Sequence, residues 1–129
     1  MEAPRGRSGE TAAAVACAAA RRAGEVLVAR FWEPKEVSLK GRGNLVTNVD
    51  LEVEAEVFAM LRAEFPDMAL LGEETAGGRA DEGYVWIVDP LDGTRNYASG
   101  IPFFSTVVAL ALDGEVQVGV NYDPLRDEL

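Results

Sequence analysis

Length, composition and charge narrow what this chain can be. Its 129 residues are 48% hydrophobic and 26% charged, which suffices for one compact core. A net charge of −10, with 12 basic residues against 22 acidic ones, argues against binding to nucleic acid or an anionic membrane, since both depend on cationic patches. The lack of histidine excludes a histidine base and histidine-bound zinc within this segment. The single cysteine, Cys17, excludes a disulfide framework and indicates a reducing, cytoplasmic location.

The first part of the chain predicts a tail followed by a helix. Residues 1–9 are predicted to be a disordered tail, and residues 10–129 a single domain. Two arginines ahead of the alanine-rich run 12–20 superficially imitate a signal peptide. Apolar residues continue past that run with helical spacing, which favours an amphipathic helix from about Glu10 to Phe31. The apolar positions are Val15, Ala19, Ala23, Val26 and Leu27.

The rest of the chain predicts one more long helix and then strands. The helix runs from Asn48 to Phe65, and Val37–Asn44 ahead of it is predicted to be a mobile loop or a short hairpin. Helices first and strands after them indicate an α+β fold. The predicted strands are Met68–Leu71, Tyr84–Val88, Phe103–Leu112 and Glu115–Asn121, with a short helix after Thr94 and a hairpin turn at Asp113-Gly114.

The most informative stretch follows the strand that ends at Val88. Asp89, Asp92 and the Leu91 carbonyl offer the hard oxygen ligands that Mg²⁺, Mn²⁺ or Ca²⁺ prefer. Gly93 permits close backbone approach, and the N–H groups of Gly93 and Thr94 would bind an anion if a helix starts there. An ordinary Asx turn is the alternative. The whole stretch reads Asp89-Pro90-Leu91-Asp92-Gly93-Thr94-Arg95-Asn96-Tyr97, and Pro90 is expected to lead the chain out of the sheet.

Two further acidic elements lie upstream. Gly72-Glu73-Glu74 follows a predicted strand, which would deliver its carboxylates to the strand's end. Thr47, with Asp50 three residues later, has the form of a helix capping box with Asp in place of Glu or Gln. Simpler alternatives are open for each acid: Glu73 as a solvated side chain, Asp50 as a cap only, and Glu74 as a surface charge or a supporting partner.

Together, and in this order, the three elements resemble the inositol monophosphatase family of Mg²⁺-dependent, lithium-sensitive phosphatases. The stretch 89–97 resembles the family's D-P-[LI]-D-G-T-x-N-[FY] signature, Gly72-Glu73-Glu74 its G-E-E, and Leu45–Asp50 its L-V-T-x-x-D. The resemblance covers roughly Glu10 to Leu129 and only the amino-terminal half of such an enzyme. We therefore expect a truncation that lacks the metal-binding aspartate of a later W-D-x-A-A-G-like segment.

The resemblance implies a fold and a set of metal ligands. The fold would be helices packed on a largely antiparallel sheet, the amino-terminal part of an αβαβα layered sandwich. Glu73, Asp89 and the Leu91 carbonyl would bind one Mg²⁺, and Asp89 with Asp92 a second, with Mn²⁺ as a substitute.

The same resemblance assigns the chemistry. Water on the first metal ion would be the nucleophile, with Glu73 and a hydrogen-bonded pair of Asp50 and Thr94 helping to accept its proton. Asp92 and the N–H groups of Gly93 and Thr94 would bind the substrate phosphate.

The spacing of the acidic residues argues against two other motifs, and two classes of function are left. An EF-hand would need glutamate where Gly100 lies, and a haloacid-dehalogenase-type phosphatase would need D-x-D. The first class is a Mg²⁺-dependent phosphatase for inositol monophosphate or a related sugar or nucleotide phosphate, inactive as the isolated 129-residue piece. The second is a non-catalytic family member or fragment that acts as a binding or regulatory partner. The expected partner is a small phosphorylated metabolite, and the resemblance also allows a homodimer.

Overall fold

Two long helices and two sheets make up the part of the chain that the structure, a computed structural model, describes: residues 4–41, 44–73 and 83–129. Thr11 and Thr47 cap the two long helices through their hydroxyls, as serine and threonine commonly do. In chain order the elements are α1 (Ala12–Phe31), β1 (Val37–Gly41), β2 (Asn44–Thr47), α2 (Asn48–Glu64), β3 (Ala69–Gly72), β4 (Tyr84–Asp92), α3 (Thr94–Ala98), β5 (Ser105–Leu112) and β6 (Glu115–Tyr122).

The larger sheet has the strand order β3-β4-β5-β6. Strand β3 runs parallel to β4, and the other two pairs are antiparallel. The predicted α+β class with a largely antiparallel sheet is therefore confirmed, and the parallel pair at one edge makes the sheet mixed. Asp113 and Gly114 both have positive φ, 49° and 86°, in the turn between β5 and β6, as tight hairpin turns require.

The helices α1 and α2 pack on one face of this sheet, and the core lies between them. Alanines along α1, including Ala16, Ala19 and Ala23, are fully buried, and their small side chains allow close helix packing. The sheet contributes Trp86 and Leu110, which are paired in register and also fully buried. The surface of the helix pair carries ion pairs such as Arg30 with Glu52 at 2.9 Å, which contribute little to stability because they are partly exposed.

The opposite face of the sheet exposes apolar side chains. Leu71 pairs with Ile87, and they are 38% and 37% exposed. Val116 pairs with Ala111 on the same face and is 65% exposed. Residues paired directly across strands share a face, so these exposed side chains lie on one face of the sheet, where Val85 and Ala111 between them are buried.

Several predicted boundaries differ from the structure. Residues 4–9 were expected in a disordered tail, but they form a turn in which Arg7 N–H donates to Glu64 O at 3.1 Å and the Ser8 hydroxyl contacts the Glu64 carboxylate. The segment Val37–Asn44, predicted as a mobile loop or a short hairpin, contains β1, which pairs antiparallel with β2 that begins at Asn44. Within the described residues, no helix is long and apolar enough to cross a membrane.

Candidate metal and phosphate site

A bulge at the end of β4 brings two aspartates to one face of the sheet. Asp89 pairs with Val107 and Asp92 with Ser105, so β4 has one residue more than β5 between the two pairs. Pro90 and Leu91 form the bulge and are both buried. Because the bulge contains one extra residue, Asp92 lies on the same face as Asp89. The prediction that Pro90 leads the chain out of the sheet is wrong, because β4 continues through the bulge to Asp92.

The parallel pairing of β3 with β4 places Glu73 beside Asp89. Gly72 pairs with Val88, and the Glu73 N–H donates to Val88 O at 3.3 Å. One position further in the same register, Glu73 lies beside Asp89, where its carboxylate helps to raise the pKa of the Asp89 carboxyl. Glu74 lies outside the described residues.

Asp89 has the most perturbed environment of the three acids. Burial, the hydrogen bond to Glu73 and the charges of Glu73 and Asp92 together raise the pKa of Asp89 to about 7. Its Oδ1 atom is buried and has no hydrogen-bond partner among the described residues. Like charges around a buried oxygen without a partner are unfavourable unless a proton or a cation neutralises them.

The carboxylate oxygens of Glu73, Asp89 and Asp92 are of the type that hard divalent cations prefer as ligands. Over residues 4–41, 44–73 and 83–129, no three acidic or cysteine side chains are arranged around a common point as a bound ion requires. Asp89 Oδ1, which has no hydrogen-bond partner among the described residues, and the neighbouring carboxylates are nevertheless the types of oxygen atom that bind Mg²⁺. The metal ligands accordingly stay a prediction.

Asp50 connects the start of α2 to the end of β4. Its Oδ2 accepts hydrogen bonds from the Thr47 N–H at 2.9 Å and from the Thr47 hydroxyl, which completes the predicted capping box. Its Oδ1 accepts from the Thr94 hydroxyl at 3.0 Å. Capping therefore accounts for only one of the two oxygens. The predicted Asp50 and Thr94 pair is present, and the Thr94 hydroxyl also lies 3.2 Å from the Leu91 carbonyl.

The residues after Asp92 form a fixed loop and a short helix. Gly93 has φ +100°, and a Cβ there would lie 3.0 Å from the Phe103 carbonyl oxygen, so both conformation and space require glycine. Asn96 Nδ2 donates to the same carbonyl at 2.9 Å and holds the loop closed. Tyr97 is fully buried, and its hydroxyl donates to Leu27 O at 2.7 Å, which ties α3 to α1.

A cavity of about 680 Å³ opens beside this loop. Its lining includes Asp92, Gly93, Asn96, Ser105 and Asn121. The predicted site residues Asp50, Glu73, Asp89 and Thr94 are not part of this lining. No lysine or arginine is part of the lining within the described ranges, so the cavity alone would repel a phosphate ester. A cation would reverse that preference.

Sequence reasoning missed Glu54, a carboxylate that is 2% exposed. It lies one helical turn after Asp50 on the buried face of α2. Its neighbours Val53 and Val57 are fully buried, and this position within an apolar stripe was the signal available in the sequence.

Comparison with known proteins identifies the family of this fold. A model of the inositol monophosphatase family matches residues 9–129. The chain is 43% identical over 119 residues to the Nus factor SuhB of Haemophilus influenzae, a match that covers 89% of the chain and 44% of that protein. It is 40% identical to inositol monophosphatase 3 of Solanum lycopersicum, with the same shares covered. The chain thus spans less than half the length of these curated relatives.

A solved structure shows the same architecture. The crystal structure of the extragenic suppressor protein suhB from Bartonella henselae superposes with a TM-score of 0.85 at 38% identity, over 89% of this chain and 46% of that one. The two helices and mixed sheet described above are therefore an inositol monophosphatase type of α+β fold. The chain belongs to the inositol monophosphatase family.

Proposed function

We propose that the full-length protein hydrolyses a small phosphate monoester in a Mg²⁺-dependent reaction. The observation that carries the proposal is the environment of Asp89, whose buried Oδ1 has no partner among the described residues while Glu73 and Asp92 crowd the same carboxylate. In structural ion pairs the side chain of arginine or lysine neutralises such negative charge, whereas in metal sites a bound metal ion does so.

The ligand set follows from the same residues. Glu73, Asp89, Asp92 and the carbonyl oxygen of Leu91 would hold Mg²⁺, with Mn²⁺ as a substitute. When bound, such ions lower the pKa of a coordinated water and neutralise phosphoryl oxygens. The bulge in β4 supports this set because it puts Asp89 and Asp92 on one face.

Asp50 and Thr94 would take up the proton that the attacking water loses. The Thr94 hydroxyl donates to Asp50 Oδ1 at 3.0 Å, so its oxygen can accept a proton while its own proton moves to the carboxylate. The backbone N–H groups of Gly93 and Thr94 would hold the substrate phosphate next to Asp92. The left-handed backbone of Gly93 supports this assignment, since it turns the chain directly into α3.

The substrate would be inositol monophosphate or a related sugar or nucleotide phosphate. The cavity beside Gly93, about 680 Å³, is of the size that binds small metabolites. Inhibition by Li⁺ is supported by the similarity to Staphylococcal inositol monophosphatase-1, whose structure was solved as a LiCl-soaked inhibitory complex (26% identity, TM-score 0.75). We also propose that the protein acts in the cytoplasm and forms a homodimer.

The first test compares Asp89→Asn and Asp92→Asn in the full-length protein against a panel of phosphorylated metabolites with Mg²⁺. Each change removes a ligand charge, so we expect kcat to fall at least about 100-fold. Asp67→Asn, a change at an exposed residue in the turn after α2, is the matched control and should have normal kcat. Circular dichroism should show a folded Asp89→Asn protein, because the amide removes repulsion with Glu73 and Asp92. Normal kcat in Asp89→Asn would contradict the mechanism.

A second candidate function is that of a binding or regulatory partner. The similarity to a protein named Nus factor SuhB favours it. The two candidates differ in their need for Asp89: hydrolysis requires this carboxylate, and binding through another surface does not. If the growth defect of a strain that lacks the gene is corrected by the Asp89→Asn gene as well as by the unaltered gene, the cellular role is binding. If only the unaltered gene corrects it, the role is hydrolysis.

A further inference from the structure

The buried carboxylate of Glu54 lies directly beneath the point where β3 ends. An ideal Cβ at Gly72 would be 2.5 Å from Glu54 Oε2 and 2.8 Å from Oε1. No side chain could be accommodated there without moving the carboxylate. Gly72 has no positive φ, so the contact with Glu54, and not a turn, is the feature that a side chain at this position would disturb.

The two faces of the strand explain why this contact matters for the site. Gly72 pairs with Val88, a core residue, so its missing side chain would point toward α2 and Glu54. The next residue, Glu73, points to the opposite face, where it meets Asp89. Glu54 thus contacts the end of β3 on the face of the sheet that α2 covers, and the same stretch of backbone carries Glu73 on the opposite face.

Helix α2 carries both acids that reach the site from the core side. Asp50 and Glu54 are four residues apart and are 0% and 2% exposed. Asp50 contacts Thr94 at the start of α3, and Glu54 contacts Gly72 at the end of β3. One rigid helix therefore sets the relative positions of two chain segments that are far apart in sequence.

We propose that Glu54 is a positioning residue, which fixes the end of β3 so that Glu73 lies opposite Asp89 and a divalent cation binds tightly. This inference depends on the metal site of the proposed function. Supporting residues of this kind typically change metal affinity by about 10- to 100-fold when they are altered. A charged Glu54 carboxylate would also attract a cation bound on the other face of β3.

The first experiment measures Mn²⁺ binding to the full-length protein by electron paramagnetic resonance, with no substrate present. Glu54→Gln keeps the shape but removes the charge, and we expect the Kd for Mn²⁺ to rise about tenfold. At saturating Mg²⁺, kcat should stay within about twofold, because Glu54 does not touch the reacting groups. Glu52→Gln is the matched control: it makes the same change in the same helix at a residue paired with Arg30, and its Kd should be unchanged.

The second experiment tests the contact itself and does not depend on how well Glu54→Gln folds. Gly72→Ala should raise the Kd for Mn²⁺ in the unaltered background, because the new methyl group displaces the carboxylate. In a Glu54→Ser background the space is open, so adding Gly72→Ala should change the Kd by less than about twofold. Equal effects of Gly72→Ala in both backgrounds would overturn the role of the contact.

The outcomes separate this inference from the proposed function. If the unaltered protein binds Mn²⁺, Glu54→Gln binds it equally well and Gly72→Ala has the same effect in both backgrounds, Glu54 has no positioning role and the proposed function stands. If Glu54→Gln lowers only the thermal midpoint and leaves the Kd unchanged, its role is structural and the inference fails. If the unaltered protein binds no Mn²⁺, both fail together.

Discussion

At the scale of single residues, the Thr94 hydroxyl has one proton and two acceptors within reach. Asp50 Oδ1 lies at 3.0 Å and Leu91 O at 3.2 Å. The carboxylate is the stronger acceptor because it is charged, so it orients the hydroxyl and leaves the oxygen lone pairs directed elsewhere. This orientation is what a proton acceptor for the attacking water requires.

Replacement of Thr94 by valine or serine tests that role. Valine keeps the branched shape and removes the hydroxyl, so we expect kcat to fall by about 100-fold or more in the full-length protein. Serine keeps the hydroxyl and should retain most of the activity. Steady-state kinetics at saturating Mg²⁺ measure both. Equal loss in the two variants would assign Thr94 a packing role, and no loss in valine would remove it from the mechanism.

At the scale of elements, a glycine in the middle of α1 governs how the helix meets β6. A Cβ at Gly24 would overlap the ring of Tyr122 and lie 2.9 Å from Pro124 Cβ. The ring cannot easily move away, because the Tyr122 hydroxyl donates to Asp127 at 2.7 Å. Glycine therefore lowers the helical propensity of α1 at this position but allows the helix to pack closely on β6.

Gly24→Ala should lower the free energy of unfolding by up to about 2 kcal/mol, because overpacking typically costs about 1–3 kcal/mol and helix propensity returns roughly 1 kcal/mol of it. Urea unfolding followed by circular dichroism measures the change. Ala18→Gly, at an exposed position of the same helix, shows the effect of propensity alone and should cost roughly 1 kcal/mol. A stabilised Gly24→Ala protein would mean that the helix can move off Tyr122 without penalty.

Local signals in the sequence predicted those features that neighbouring residues determine. The capping box at Thr47 and Asp50, the hairpin turn at Asp113-Gly114 and both long helices depend on contacts within a few residues, and all are present. The hydrogen bond from Thr94 to Asp50 spans 44 positions and could be named only through the family resemblance.

The features that the sequence did not reveal depend on strand register. A bulge adds one residue to β4, and without it Asp89 and Asp92 would point to opposite faces. The parallel alignment of β3 with β4, which brings Glu73 to Asp89, has no local signal in either strand. The contact of Glu54 with Gly72 needs both the helix position and that register.

At the scale of the whole molecule, the sheet has one covered face and one exposed apolar face. The helices α1 and α2 cover the first. Leu71, Ile87 and Val116 lie on the second, and Asp89 lies on the same face as Ile87, two residues further along β4. The candidate metal site therefore lies on the same face of the sheet as these exposed apolar side chains.

The isolated piece of residues 1–129 should show no Mg²⁺-dependent phosphatase activity. The chain covers 44% of its curated relatives, and the family resemblance assigns one more metal-binding aspartate to the remaining part. The purified piece and the full-length protein are assayed with the same substrates, after circular dichroism has established that the piece is folded. Full-length Asp89→Asn sets the background from contaminating phosphatases. Robust Mg²⁺-dependent turnover by the piece, above that background, would mean that these residues complete the site without the missing aspartate.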